Sequence, residues 1–158
     1  MGIAPSAPRI PSQHSRQAST MTTGILGIHH VGIVVQDLET SARWYADQLG
    51  FRRLHAFGFP GAKVVFVGLD NLRLELIQTE GAMPMAAERA ERQSNIRLGG
   101  INHLAIAVDD LDRTIDRLQA NGVEIAAPPS AVPNSGGDRF AFIRDNERML
   151  IELFQSAA

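Results

Sequence analysis

The sequence predicts an α+β domain of two tandem βαβββ modules. Three observations carry this. The stretches Ile28–Glu39 and Ile101–Asp112 match residue for residue in type, at an offset of 73 residues. Self-similarity at a fixed spacing marks a duplicated structural unit. In both copies an alternating apolar stretch stops at an Asp suited to capping the helix that follows. Both copies then end in a strand with a single Glu among large aliphatics, Leu72–Gln78 and Leu150–Gln155.

The elements follow in order. After the first strand, a helix is expected over Leu38–Leu49, closed by Gly50, a usual C-terminal stop. Strands Phe51–Phe57 and Lys63–Leu69 then lead into Leu72–Gln78. Met83–Gly100 reads as a connection with a short helix around Met85–Gln93. The second copy repeats the plan with a helix over Leu111–Asn121, closed by Gly122, and strands Val123–Ala126, Arg139–Arg144 and Leu150–Gln155. The expected domain is therefore 24–158, made of modules 24–80 and 99–158 joined by 81–98. Residues 1–23 stand apart: they hold no acid, three Pro and four Ser, and read as a disordered tail.

Composition narrows the chemistry. The 158 residues are 44% apolar and 20% charged, ordinary for one globular domain. Fifteen Lys and Arg against 17 Asp and Glu leave a net charge of −2, with no basic stripe for nucleic acid or an anionic membrane. No apolar run is long enough to span a bilayer, and the expected location is cytoplasmic. With no Cys there is no disulfide, thiolate metal site or cysteine nucleophile. A metal would have to be held by imidazole nitrogen and carboxylate oxygen.

Strand alternation supplies such a set. In the first strand His30 shares a face with Gly32 and Val34, opposite Val31, Ile33 and Val35. In the repeat His103 shares a face with Ala105 and Ala107, opposite Leu104, Ile106 and Val108. Both histidines thus lie on the side lined mainly by small residues, and the bulky aliphatics face the helices. His29 falls on the helix side and is replaced by Asn102 in the repeat, which makes it the weaker ligand candidate. Glu75 and Glu152 are polar residues inside apolar strands and must meet water or a cation. An exposed ion pair with Arg73 would account for Glu75 taken alone. Recurrence changes the weighing, because His30 precedes Glu75 by 45 residues and His103 precedes Glu152 by 49. Pseudo-symmetric pairing of the copies would gather all four into a mixed nitrogen–oxygen shell suited to one divalent ion: Co, Ni, Mn, Zn or Fe.

These residues resemble the vicinal oxygen chelate superfamily, which includes glyoxalase I, methylmalonyl-CoA epimerase, extradiol dioxygenases and the fosfomycin and bleomycin resistance proteins. The resemblance runs from Ile28 to Gln155 and implies the glyoxalase fold, in which the two modules form a curved mixed eight-stranded sheet around a metal-binding cavity. It implies His30, Glu75, His103 and Glu152 as metal ligands. A ligand at the Glu75 position tilts the resemblance towards the isomerase, epimerase and lyase branch. Val65–Leu76 is similar to the corresponding strands of methylmalonyl-CoA epimerases. Two departures stand out: there is no acid near Gly58–Lys63 to act as a dedicated second base, and Arg144–Glu147 replaces the turn common in glyoxalase-like members.

The activity so implied is proton abstraction next to a carbonyl through a metal-stabilised enediolate, as in methylmalonyl-CoA epimerase or lactoylglutathione lyase. Glu152 is the expected base and Glu75 its mirror partner. The expected substrate is an acyl-CoA or a thiol adduct, and the expected assembly is a homodimer, with the site inside one chain or across two. The alternatives are a ring-cleaving Fe(II) dioxygenase and a non-catalytic drug-binding protein. Arg139, Arg144, Lys63 and Arg97 are the cations that could meet a substrate anion.

Overall fold

The computed structural model describes residues 24–157, so the expected tail at 1–23 lies outside the described residues. The first module contains β1 (Val31–Val34), α1 (Leu38–Leu49), β2 (Arg52–Phe59), β3 (Ala62–Leu69) and β4 (Leu72–Thr79). Two short helices, α2 (Ala87–Ala90) and α3 (Arg92–Asn95), lie in the connection. The second module contains β5 (Leu104–Ala107), α4 (Leu111–Ala120), β6 (Ile125–Ala131), β7 (Arg139–Arg144) and β8 (Leu150–Gln155). The eight expected strands divide by their hydrogen bonds into two four-stranded mixed sheets, ordered β1-β4-β3-β2 and β5-β8-β7-β6.

Local chemistry explains the boundaries. Asp37 is extended, and its carboxylate accepts the Thr40 amide at 2.9 Å, capping α1. Gly50, at a φ of 76°, closes the same helix in the left-handed conformation that glycine adopts without strain. Asp110 caps α4 through the Arg113 amide at 2.9 Å. The second helix stops at Ala120, one residue short of expectation, with Asn121 already outside it.

Two expected elements need correction. The short helix expected around Met85–Gln93 is broken in two, because Glu91 between the halves is extended, with φ −107° and ψ 123°. The strand expected over Val123–Ala126 begins instead at Ile125 and continues through Pro128 and Pro129 to Ala131. It is the edge strand of its sheet, where a missing amide donor costs no ladder bond, and its register shifts across the prolines.

One face of each sheet packs on its helix, and both packings join in a single apolar core. Val35, Leu38, Tyr45, Leu74 and Leu76 are buried there from the first module, with Leu111, Leu118, Ile151 and Leu153 from the second. A polar latch crosses the same contact. The Tyr45 hydroxyl donates to Asp145 Oδ2 at 2.8 Å, both residues being buried. Asp145 Oδ1 accepts the amides of Glu147 at 2.9 Å and Met149 at 2.8 Å. Glu147 Oε1 accepts the Gln36 amide at 2.7 Å, and Asn146 donates to Ser41 Oγ at 2.9 Å. The turn between β7 and β8, which departs from the glyoxalase-like pattern, thus ties α1 of one module to the strand pair of the other.

Candidate metal centre

The opposite faces of the two sheets carry the candidate ligands, and the registers of the two modules coincide. β1 runs parallel to β4 with Gly32 beside Glu75, and β5 runs parallel to β8 with Ala105 beside Glu152. Each histidine stands just before its strand, two residues ahead of the small residue facing the glutamate. A Cβ added at Gly32 would lie 3.6 Å from Glu75 Oε2, so glycine there leaves the space above the carboxylate open.

The result is the same pair made twice. His30 Nε2 lies 3.3 Å from Glu75 Oε2, and His103 Nε2 lies 3.1 Å from Glu152 Oε2. The side chains are 35% and 20% exposed in the first pair and 29% and 16% in the second, so both are sheltered yet reachable from solvent. Among the described residues the pairs stay separate: no three His, Asp or Glu side chains converge on one point. The two halves meet across a seam, where a cavity of about 270 Å³ is lined by Gly32 and Ile33 of β1 together with His103 and Leu104. On its other side a cavity of about 750 Å³ is lined by His29, His30 and Arg73 with Ala105 and Ala107 of β5.

The repeat extends to a residue that sequence pattern did not single out. Phe66, beside Glu75 in register, meets the His30 ring edge-to-face at 5.2 Å. Phe142, beside Glu152, meets the His103 ring in the same manner at 5.1 Å. Each imidazole is thereby held between a carboxylate and a ring edge, which restricts its plane. The only available sequence signal was an aromatic residue at matching positions of β3 and β7.

Other expectations resolve differently. Arg73 reaches His29 Nε2 at 3.3 Å, and Glu75 is left to His30. His29 is exposed and places Nδ1 2.9 Å from His30 Nδ1, so it orients the ligand candidate rather than packing under the helix. Arg139 is taken by Asp112 at 2.7 Å. Arg144 is buried and bonded to Glu124, to Glu91 at 2.8 Å and to the Ala90 carbonyl at 3.0 Å. Lys63 is three residues from Phe66 and so points to the opposite face of β3. Three of the four expected anion contacts are therefore removed from the cavity side.

Comparison with known proteins now fits this geometry. The description "Glyoxalase/Bleomycin resistance protein/Dioxygenase superfamily" matches residues 27–153. The chain belongs to that superfamily. It is 29% identical over 132 residues to the mitochondrial methylmalonyl-CoA epimerase of Homo sapiens, covering 82% of this chain and 73% of that one. It is 28% identical over 136 residues to a probable lactoylglutathione lyase of Synechocystis sp., covering 82% and 95%. A crystal structure of a glyoxylase/bleomycin resistance protein/dioxygenase domain from Frankia sp. EAN1pec superposes with a TM-score of 0.69 at 22% identity, over 84% of this chain and 93% of that one. The glyoxalase fold that the resemblance implied is thus the fold of this chain. Among the described residues no helix is long and apolar enough to cross a membrane.

Proposed function

We propose that this superfamily member is a divalent-metal-dependent isomerase, an epimerase or lyase that moves a proton at the carbon beside a carbonyl. The observation that carries the reading is the His–Glu pair built twice, His30 with Glu75 and His103 with Glu152, each glutamate with a small residue, Gly32 or Ala105, beside it in register. The donor set fits a metal. Bonds of about 2.1 Å at a right angle put two donors about 3 Å apart, and the pairs stand at 3.3 and 3.1 Å. His30, Glu75, His103 and Glu152 would hold the ion, with the two pairs brought together within one chain or across a homodimer. When bound, the ion supplies Lewis-acid polarisation of the substrate carbonyl.

The protein's own groups do the rest. Glu152 takes the proton from the carbon beside the carbonyl and returns it, while Glu75 offers a second carboxylate from the other module. Return to the other side of the same carbon gives an epimer, and return to the neighbouring carbon turns a hemithioacetal into a thioester. Phe66 and Phe142 fix the imidazole planes, and the apolar walls keep competing water away from the carbanion-like centre. The two relatives named above are an epimerase and a probable lyase, which places an acyl-CoA and a glutathione adduct first among substrates to try.

The test is deuterium wash-in from heavy water into methylmalonyl-CoA and into the methylglyoxal–glutathione adduct, with the cobalt-loaded protein. One of the two should exchange its hydrogen, and Glu152→Gln should slow that exchange by roughly 10²–10⁴-fold, the range of a general base. Exchange in neither substrate, or full exchange by a metal-loaded Glu152→Gln variant, contradicts the proposal.

A further inference from the structure

The two candidate ligand histidines follow different residues. His29 precedes His30 and places its Nδ1 2.9 Å from the Nδ1 of that ring. Asn102 precedes His103 and places its amide oxygen 2.8 Å from Nδ1. The difference is chemical: an imidazole nitrogen either gives or takes a proton, whereas an amide oxygen only accepts. Asn102 Oδ1 therefore requires a proton on Nδ1 of His103. In a neutral ring that leaves the lone pair on Nε2, the atom 3.1 Å from Glu152 Oε2. Both atoms then offer electron pairs across a gap that one cation can fill.

Asn102 is held from the connection between the modules. Asn95, the last residue of α3, is only 1% exposed, and its Nδ2 donates to the Asn102 carbonyl at 2.6 Å. Arg89 of α2 donates to Asn95 Oδ1 at 3.3 Å, to the Ile101 carbonyl at 3.1 Å and to the Gly99 carbonyl at 2.6 Å. A buried amide without partners is costly, so these bonds fix the path by which the chain enters β5. Arg89, Asn95, Asn102 and His103 together line one side of the seam cavity of about 270 Å³. At the matching place in the first module His29 is exposed, and its Nε2 lies 3.3 Å from Arg73 Nη1.

Resting on the metal-dependent reading above, we propose that Asn102 is a positioning residue of the centre. It holds the proton of His103 on Nδ1 and so presents Nε2 as a ready ligand, with Asn95 and Arg89 as its brace. An imidazole fixed through its outer nitrogen binds a metal more tightly than one free to turn or to change tautomer. Sequence pattern showed Asn102 only as the residue standing where the first copy has His29. Asn95 lies in a helix of four residues, too short for a periodic pattern, and its partner is reached only through the fold.

The experiment is NMR of the histidine ring nitrogens in metal-free protein, followed by cobalt titration, with His103 assigned from its alanine variant. Above the pH range in which imidazole titrates, wild-type His103 should carry its proton on Nδ1. Asn102→Ala should move that proton to Nε2, because Glu152 Oε2 remains as an acceptor at 3.1 Å. The same variant should weaken cobalt binding roughly 10- to 100-fold, the cost of losing a partner outside the ligand shell. Asn102→Asp keeps an accepting oxygen, and should keep the Nδ1 proton and most of the affinity. Unchanged circular dichroism shows that the variants are folded. A wild-type His103 protonated on Nε2, or wild-type cobalt affinity in Asn102→Ala, would overturn the proposal. So would equal losses in the Ala and Asp variants, which would reduce Asn102 to packing, or a wild type that binds no cobalt. Cobalt binding that depends on Asn102 in this way, with no hydrogen exchange in either candidate substrate, would remove the isomerase reading and leave the role of Asn102 standing.

Discussion

Replacing Tyr45 by Phe removes a single hydroxyl from the contact between the modules and leaves the ring in place. That hydroxyl donates to Asp145 Oδ2 at 2.8 Å, joining residues 100 apart in the chain. Because Phe fills the same space, no cavity forms, and the cost is that of one charge-assisted hydrogen bond, about 1.5–3 kcal/mol. Each kcal/mol lowers the midpoint of a domain this size by roughly 2–4 °C, so melting should fall by about 3–12 °C. Calorimetry and denaturant titration should agree on the loss, with an unchanged denaturant slope. The double variant with Asp145→Asn should cost less than the two single changes added, because both break one bond. A Tyr45→Phe protein melting within about 1 °C of wild type would refute the latch as a source of stability.

The same pair predicts the response to pH. Burial, and after it the Asp145 charge, hold the Tyr45 hydroxyl well above its ordinary value of 10.0. Its contribution is therefore complete below that value and lost as pH rises through the folded one. As Tyr45 is the only tyrosine, phenolate absorbance should appear together with unfolding, and a reversible folded-state titration at 10.0 would contradict its burial. Burial likewise pushes the Asp145 carboxyl above its ordinary 3.8, so its contribution is complete below 3.8 and fades as pH rises through the raised value. The stability difference between wild type and Asp145→Asn should change across that window and level off above it. At Gly32 the prediction concerns space: Ala meets Glu75 at an ordinary 3.6 Å and should be tolerated. Leu should displace the carboxylate and weaken metal binding more than about tenfold, without a matching loss of melting temperature; equal metal affinity in Gly32→Leu would show that the space is unused.

Much of this architecture was legible because its signals are local. The Asp37 cap and the Gly50 stop gave α1 its ends, and alternation alone placed His30 with Gly32 and away from Val31 and Ile33. The duplication singled out Glu75 and Glu152, each of which lies beside the histidine of its own copy. What was missed depends on partners distant in sequence. Pro128 and Pro129 argue against a strand until β6 is known to be an edge. Glu91 breaks the connecting helix while its carboxylate binds Arg144 and Arg148. Asp145 and Glu147 read as an irregular turn, and their role exists only against α1. Arg144, a candidate anion contact by charge alone, is buried among protein partners.

The central claim is that the two His–Glu pairs serve one ion. Equilibrium titration of metal-free protein with cobalt, read by its absorption and by calorimetry, tests it most directly. The account predicts one ion per chain, with His30→Ala and His103→Ala each weakening binding by more than the roughly 10- to 100-fold that changes outside the ligand shell cost. Two independent ions per chain, no bound ion, or wild-type affinity in either histidine variant would contradict it.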